Sequence, residues 1–179
     1  MGKYLLSAFL IFLSVEVYAQ KIGVRTSVSM LMTTTPNIEI STPFTKHLSM
    51  HFPVLYNPFK FGENSRLQQL TAMPGIRYWS AETYVGSFVS MYGLASQYNV
   101  GGILDMKYRY SGKCFGGGLG IGYAWIIKNR LNIEVEIGAA FVKNNYDKVG
   151  WEVNSRRYKH FSRLHVIPAK ADFSIVYFM

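Results

Sequence analysis

The sequence predicts an all-β fold, an eight-stranded antiparallel transmembrane β-barrel, and three observations lead to that prediction. Segments of alternating polarity recur along the chain, short and long connections alternate between them, and an apolar segment opens the chain. Because side chains of a strand alternate between its faces, a period of two indicates strands with one apolar face. The predicted strands are 21–32, 36–43, 47–56, 72–80, 84–96, 114–127, 131–143 and 166–179, most of them near the roughly 9 to 11 residues that cross a bilayer obliquely.

Residues 1–19 have the composition of a secretory signal peptide. Lys3 precedes an apolar run, and the small residue Ala19 ends the segment as a cleavage site requires. A membrane-anchoring helix is the competing interpretation, but it needs about 20 apolar residues and the run is shorter. We expect cleavage after Ala19, no lipid attachment because Gln20 follows, and one β-barrel domain over residues 20–179.

Composition favours an exported β protein. Mean hydropathy is +0.08 and only 16% of residues are charged, as expected when half of the strand residues face lipid. Cys114 is the one cysteine, which excludes an intrachain disulfide. A net charge of +9 in an exported protein favours anionic lipid or glycan over nucleic acid as a partner. Nothing in the sequence indicates a cofactor or a metal.

The alternation is clearest in the seventh predicted strand. There the apolar residues Leu131, Ile133, Val135, Ile137, Ala139 and Phe141 share one face, and Asn132, Glu134, Glu136 and Gly138 share the other. The same pattern recurs in the first, third and last predicted strands. Residues 84–96 do not assign to faces, because small and bulky side chains mix on both.

The connections predict an orientation. Those at 44–46, 80–83 and 128–130 are tight, whereas those at 57–71, 97–113 and 144–165 are long; the short connection at 33–35 is the one exception to the alternation. Outer-membrane barrels have short periplasmic turns and longer outside loops. The sequence therefore predicts a location in the cell outer membrane, with the three long loops outside and both termini in the periplasm. We separately expect a monomer.

A soluble lipocalin-like barrel is the structural alternative, with its apolar face inward and its charged face in water. Two features count against it. The candidate inner face carries both signs of charge, and aromatic residues cluster near predicted strand ends, as in an interfacial girdle. That girdle is predicted to comprise Tyr56, Tyr78, Trp79, Tyr84, Tyr123, Trp125 and Tyr177.

Charged residues on the inner face predict a structural network in the lumen. An unpaired charge would be costly there, so opposite charges are expected to pair. An ion-conducting pore is the functional alternative, but eight strands are expected to leave space only for side chains. The predicted network comprises Arg25, Glu39, Arg77, Glu134, Glu136, Lys170 and Asp172.

Two further patterns resemble catalytic or phosphate sites. His47, Ser49 and His51 share one strand face and could form a hydrolase site with Glu134 or Glu136, but they lie beside a tight turn, so lumen hydrogen bonding is the favoured interpretation. The alternating glycines of the sixth predicted strand are better explained by a crowded lumen than by a phosphate loop. These glycines are Gly116, Gly118, Gly120 and Gly122. No catalytic residue is predicted.

The last long connection is rich in basic residues. It is either a solvated loop or a contact for lipopolysaccharide phosphate or acidic glycan, for which the forked guanidinium of arginine is suited. The candidate anion-binding residues are Arg156, Arg157, Lys159 and Arg163.

Several sequence blocks resemble a known family. Phe115–Ile127, with the sequence FGGGLGIGYAWII, is followed by Asn129–Glu134 and by Tyr146-Asp147-Lys148; further blocks are Thr33–Asn37, Tyr56-Asn57-Pro58, Arg77-Tyr78-Trp79 and Gln97–Gly102. In this order they resemble the uncharacterised Bacteroidota outer-membrane barrel family, domain of unknown function 3575. The resemblance implies a barrel related in shape to outer-membrane protein A and suggests a link to surface or fimbrial proteins. The family has no assigned reaction.

The sequence thus favours a small non-enzymatic outer-membrane β-barrel, structural or accessory to a surface assembly, in contact with outer-membrane lipid and lipopolysaccharide. An outer-membrane lipid or peptide hydrolase and a soluble periplasmic lipocalin-like binding barrel are the alternatives.

Overall fold

The computed structural model describes residues 22–61, 65–101, 108–150 and 157–179. The predicted signal peptide, residues 1–19, and Arg156 lie outside the described residues. Within the described ranges there are ten β-strands and one short helix, α1. In chain order they are β1 Gly23–Ser27, α1 Val28–Met32, β2 Asn37–Pro43, β3 Leu48–Asn57, β4 Lys60–Phe61, β5 Ser65–Ala72, β6 Gly75–Trp79, β7 Gly86–Gly101, β8 Tyr108–Lys128, β9 Leu131–Gly150 and β10 Arg157–Phe178.

The strands form one antiparallel sheet that closes in a ring. Hydrogen-bonded neighbours follow the order β2, β1, β10, β9, β8, β7, β6, β3, and pairing of β2 with β3 closes the circuit. The segment β5 also pairs with both β3 and β7, so it occupies the same position around the ring as β6. The predicted all-β antiparallel class is therefore confirmed.

Nine strands, not eight, make up the ring in the described part of the chain, because β5 lies mainly in the connection predicted at 57–71 and the predicted strand 72–80 corresponds mainly to β6. Met73 and Pro74 separate β5 from β6. Pro74 has no backbone N–H and cannot donate to a ladder, which interrupts the pairing at this point. The Pro74 carbonyl still accepts a hydrogen bond of 2.8 Å from the Gly93 N–H of β7, which keeps both segments beside the same neighbour.

The first predicted strand is shorter than expected. The β1 strand ends at Ser27, and residues 28–32 form α1 instead of continuing as strand. The Ser27 hydroxyl accepts a hydrogen bond of 3.2 Å from the Met30 N–H, as an N-cap does. The cap competes locally with strand extension, so the chain turns inward at Ser27.

The three long connections are shorter than predicted because the neighbouring strands extend into them. Strand β5 covers most of the second half of 57–71, β7 and β8 enter 97–113 from both sides, and 144–165 lies largely in β9 and β10. Pairs such as Asn144 with Arg163 continue the antiparallel ladder there. These extensions carry polar residues on both faces beside apolar ones, so no regular alternation of polarity marked them as strand.

The sheet is polar inside and apolar outside. Arg25, Arg77, Glu134 and Glu136 are at most 2% exposed, whereas Phe141 is 66% exposed. Large apolar side chains cover much of the outer surface, among them Ile40, Phe52, Ile76, Val89, Met91, Leu119, Ile121, Ile137 and Ile175. The face assignment read from sequence for residues 131–141 agrees with the burial pattern.

The interior has three layers along the ring axis. An aromatic layer lies near the tight turns, as the hydrogen bond from the Phe178 N–H to the Arg130 carbonyl indicates; it comprises Trp79, Tyr84, Phe88, Ala124, Val176 and Phe178. The charged residues follow. An apolar layer then lies toward the opposite end and comprises Leu55, Met73, Tyr92, Leu94, Cys114, Ala140 and Val142.

Two members of the predicted aromatic girdle face the interior. Trp79 is fully buried and Tyr84 is 5% exposed, and both belong to the aromatic layer. Tyr56, Tyr78, Tyr123, Trp125 and Tyr177 do lie on the outside, each with more than two-fifths of its surface exposed. An aromatic residue near a strand end can point either inward or outward, and the sequence did not distinguish the two orientations.

In the described residues, no helix has the length and apolar character needed to cross a membrane.

Candidate functional site

The structure brings together all seven residues of the predicted lumen network. They come from five strands: Arg25 from β1, Glu39 from β2, Arg77 from β6, Glu134 and Glu136 from β9, and Lys170 and Asp172 from β10. We call this set the charge cluster. It contains three cations and four carboxylates, which supply opposite charges to one another in the middle of the ring.

Strand register explains why these residues meet. Arg25 and Glu39 are direct cross-strand partners on β1 and β2, and Glu136 and Asp172 are partners on β9 and β10. Cross-strand partners on one face lie about 5 Å apart, so each pair reaches the interior at one level.

The two arginines bridge the carboxylates. From Arg25, Nη1 lies 3.2 Å from Glu39 Oε2 and 3.2 Å from Glu136 Oε2, and Nη2 lies 2.8 Å from Asp172 Oδ2. From Arg77, Nη1 lies 2.9 Å from Glu39 Oε1 and Nη2 lies 2.9 Å from Glu136 Oε2. Two planar guanidinium groups therefore hold carboxylates from opposite sides of the ring, a geometry that lysine could not reproduce.

Lys170 completes the charge cluster. Its Nζ donates to Glu136 Oε1 at 2.7 Å and lies 4.3 Å from the centre of the Tyr92 ring. The Ser90 hydroxyl donates to the same Glu136 oxygen at 2.7 Å. Ion pairs and hydrogen bonds thus cross-link the strands through the centre of the ring. The side chains that form them fill the space that a channel would need.

The alternating glycines of β8 make room for this filling. A Cβ added to Gly120 would lie 2.7 Å from Ser90 Oγ, and one added to Gly118 would lie 2.7 Å from Tyr92 Oη. A Cβ on Gly122 would collide with the Phe88 ring. The absence of side chains on this face of β8 therefore admits the large side chains of β7, as expected for a crowded interior.

In the candidate hydrolase pattern, Ser49 and His47 both have Trp79 as their partner. Ser49 is fully buried, and its hydroxyl accepts a hydrogen bond of 2.9 Å from Trp79 Nε1. His47 Nδ1 lies 3.3 Å from the Trp79 carbonyl oxygen. Among the described residues, neither ring nitrogen of the buried His51 has a hydrogen-bond partner. The geometry therefore contains no hydrogen bond from His51 that would activate Ser49.

The candidate anion-binding residues are only partly described. Arg157 begins β10 and Lys159 pairs with Lys148, but their side chains lie outside the described part of the structure, as does the whole of Arg156. Arg163 lies on β10 with an exposed side chain. Residues 157–163 thus belong to a strand and not to the predicted open loop, and the role of the four residues in anion binding stays a prediction.

The sequence did not predict a cavity, but one lies beyond the apolar layer. We call it the end cavity. It has a volume of about 490 Å³ and is lined by inward-facing residues from most of the ring strands. The expectation that the strands leave space only for side chains is therefore wrong at this end. The charge cluster fills the middle, whereas small residues such as Ser96, Cys114 and Ala169 leave room here.

No group of three or more metal-binding side chains is arranged around a common point in the described ranges.

A closed antiparallel sheet with a charged interior and an apolar exterior defines the structural class of this protein. The chain belongs to the family of proteins of unknown function designated DUF3575, whose family model matches residues 5–179. This confirms the resemblance inferred from its sequence blocks. No curated protein and no solved structure matches the chain.

Proposed function

We propose that this protein is a small, non-enzymatic transmembrane β-barrel of a bacterial outer membrane that serves a structural or accessory role in a surface assembly. The observation that carries the proposal is the inverted polarity of the closed sheet. Its buried face holds Arg25, Arg77 and Glu136, and its exposed face holds Leu119, Ile137 and Phe141. Water disfavours such an apolar exterior, whereas the hydrocarbon of a bilayer accepts it.

The strand arrangement fits this proposal. Taking β5 and β6 as one interrupted strand gives eight positions around the ring, an even number, as in bacterial outer-membrane barrels. Closure matters because a sheet edge with unpaired N–H and C=O groups would be costly in hydrocarbon. Tyr56, Tyr78, Tyr123, Trp125 and Tyr177 supply exposed aromatic rings for the two membrane interfaces.

The geometry is less favourable to the alternatives. A soluble lipocalin-like barrel would present polar side chains to water and collect apolar ones inside, the reverse of this arrangement. A hydrolase would need a base beside Ser49, but the hydroxyl of Ser49 bonds to Trp79. A pore would need a path through the charge cluster, where Arg77 and Lys170 are both ion-paired to Glu136.

Cell fractionation tests the membrane proposal. We expect the mature chain in the outer-membrane fraction, with faster gel migration before boiling than after, since a closed sheet resists detergent until heated. Recovery as a soluble monomer in the periplasm without detergent would overturn the proposal and favour the lipocalin-like alternative.

The accessory role calls for a separate experiment. Purification of the tagged chain from native outer membranes is expected to retain surface or fimbrial proteins and lipopolysaccharide. Mass spectrometry of the bound material identifies them. A preparation containing only the chain and bulk phospholipid would argue against an accessory role and leave the structural one.

A further inference from the structure

The end cavity has an apolar floor and a polar wall. The floor is formed by Leu55, Met73, Leu94 and Val142, with Met30 of α1 packed against it. Above the floor, apolar side chains such as Leu67, Val100 and Ile167 continue in the lining and are joined by hydroxyl and amide side chains, which are Thr35, Gln69, Thr71, Ser96, Tyr98 and Asn144. The cavity therefore offers both an apolar surface and a set of polar groups above its floor.

Register places most of the polar wall on two adjacent rows of the ladder. Thr71 is the cross-strand partner of Ser96, Ser96 of Cys114, and Cys114 of Asn144, so these four inward residues follow one another around the ring. The next inward residues on β5 and β7, Gln69 and Tyr98, are themselves partners. A polar band, interrupted by Cys114 of the apolar layer, therefore borders one side of the cavity above its floor.

Hydrogen bonds hold this band in position. The Tyr98 hydroxyl donates to Asn144 Oδ1 at 2.7 Å, and the Thr71 and Ser96 hydroxyl oxygens lie 2.6 Å apart. Gln69 Nε2 donates to Thr71 Oγ1 at 2.8 Å. Each hydroxyl and amide can form more than one hydrogen bond, so the band keeps capacity for a bound molecule while its geometry is already fixed.

The lining carries little charge. In the described part of the chain, His165 is the one titratable side chain besides Cys114 and Tyr98 that borders the end cavity, and no carboxylate, lysine or arginine does so. The charge cluster lies below the floor. Met30, Leu55 and Met73 lie between the end cavity and a smaller cavity that is bordered by Arg25 and Glu39. Burial of an ionised ligand group here would lack a paired charge and would be costly.

We propose that the end cavity binds an uncharged amphipathic small molecule, with its alkyl part on the floor and its hydroxyl or amide groups on the polar band. The volume of about 490 Å³ lies within the roughly 300–1,000 Å³ of small-molecule sites. A mainly apolar pocket with a few fixed polar groups is the arrangement typical of such sites. The proposal needs the closed sheet alone and does not depend on the membrane location.

Native mass spectrometry with 1-monodecanoylglycerol as probe tests the proposal on the full mature chain released from detergent. We expect one bound probe per chain, and no comparable adduct with decanoate or decylamine, which have the same alkyl chain with a charge. The Ser96→Trp substitution fills the cavity and should abolish the adduct. The matched control is Ala95→Trp on the same strand, because Ala95 faces outward and its variant should retain the adduct.

Cys114 supplies a second readout that needs no substitution, since it is buried, unpaired and borders the cavity. The uncharged probe should slow its alkylation by N-ethylmaleimide, and decanoate should not. Equal adducts on both tryptophan variants, or alkylation unaffected by the uncharged probe, would overturn the proposal, and stronger binding of a charged probe would overturn the ligand class. Gel migration before and after heating reports on the barrel separately, so failure of ligand binding is distinguishable from failure of the fold.

Discussion

Glu136 is the residue on which the interior charges converge. Its carboxylate is ion-paired with Arg25, Arg77 and Lys170, and it also accepts a hydrogen bond from the Ser90 hydroxyl. Glu134, two residues earlier on the same strand, lies 3.6 Å from Arg25 and 3.5 Å from Arg77. Its Oε1 has no hydrogen-bond partner among the described residues. Two glutamates that look equivalent in sequence therefore differ in what their removal would disturb.

We predict that Glu136→Gln lowers the free energy of unfolding by about 3–5 kcal/mol, as expected when one partner of a buried ion pair is removed. The reason is that Lys170 is only 6% exposed, and Glu136 is the one carboxylate in the described ranges with which it forms an ion pair. Glu134→Gln is the matched control and should cost distinctly less, because Glu39, Glu136 and Asp172 still neutralise the arginines. Urea titration of the folded, fast-migrating form measures both. Equal losses would contradict this ranking.

At the scale of the element, β9 shows how one strand serves two environments. Its inward side carries Glu134, Glu136 and Val142, and its outward side carries Ile137 and Phe141. This separation follows directly from the period of two along a strand. Under the proposed function, the outward residues face lipid over the middle of the strand.

Arginine on the outward face of β9 tests that assignment. We predict that Ile137→Arg makes the free energy of folding into the bilayer about 2–4 kcal/mol less favourable, which is the cost of an arginine facing lipid near the bilayer midplane. Val135→Arg should act in the same direction. Lys143→Arg is the matched control on the same face, where a charge is already present, and should assemble normally. Folding yield into lipid vesicles measures the effect. If both arginine variants assembled normally and polar substitutions at Glu134 and Glu136 blocked assembly, the inward and outward faces would have been assigned the wrong way round.

On the scale of the whole molecule, the two ends of the ring differ. Tight turns close one end, where the Thr83 N–H donates to the Lys46 carbonyl and the aromatic layer fills the interior. The opposite end carries the extended β8, β9 and β10, the end cavity and the basic segment that includes Arg163. If anionic lipopolysaccharide or glycan is bound, the second end is the place where the charge and the open geometry coincide.

We predict that Arg163→Ser weakens retention of lipopolysaccharide severalfold at low salt and leaves folding unchanged. The attraction between exposed charges is screened over about 8–10 Å at physiological salt, so retention by the wild type should fall more steeply with added salt. Lys46→Ser, which removes one exposed positive charge at the opposite end, is the matched control and should bind as the wild type does. Retention on immobilised lipopolysaccharide across a salt series provides the measurement. Parallel salt curves for the two variants would place anion binding elsewhere.

The sequence by itself determined the class of the fold and the faces of its regular strands. Alternation is a local property, so the apolar and polar faces of residues 131–141 could be assigned from the sequence without knowing which strands lie beside them. The members of the charge cluster could also be named in advance, because a charge on the inner face of a closed sheet needs a partner inside. The family blocks, too, were readable directly from the chain.

Only the tertiary structure decided the features that depend on neighbouring strands. Residues 86–95 carry large side chains inward because the glycine face of β8 lies beside them, a relation absent from their own pattern. The polar ends of β8, β9 and β10 are strands because they pair with one another. Trp79 and Tyr84 face inward because the aromatic layer closes that end. The end cavity was beyond sequence reasoning for the same physical reason: its wall is assembled from several strands, and the space between them is set by how the ring closes.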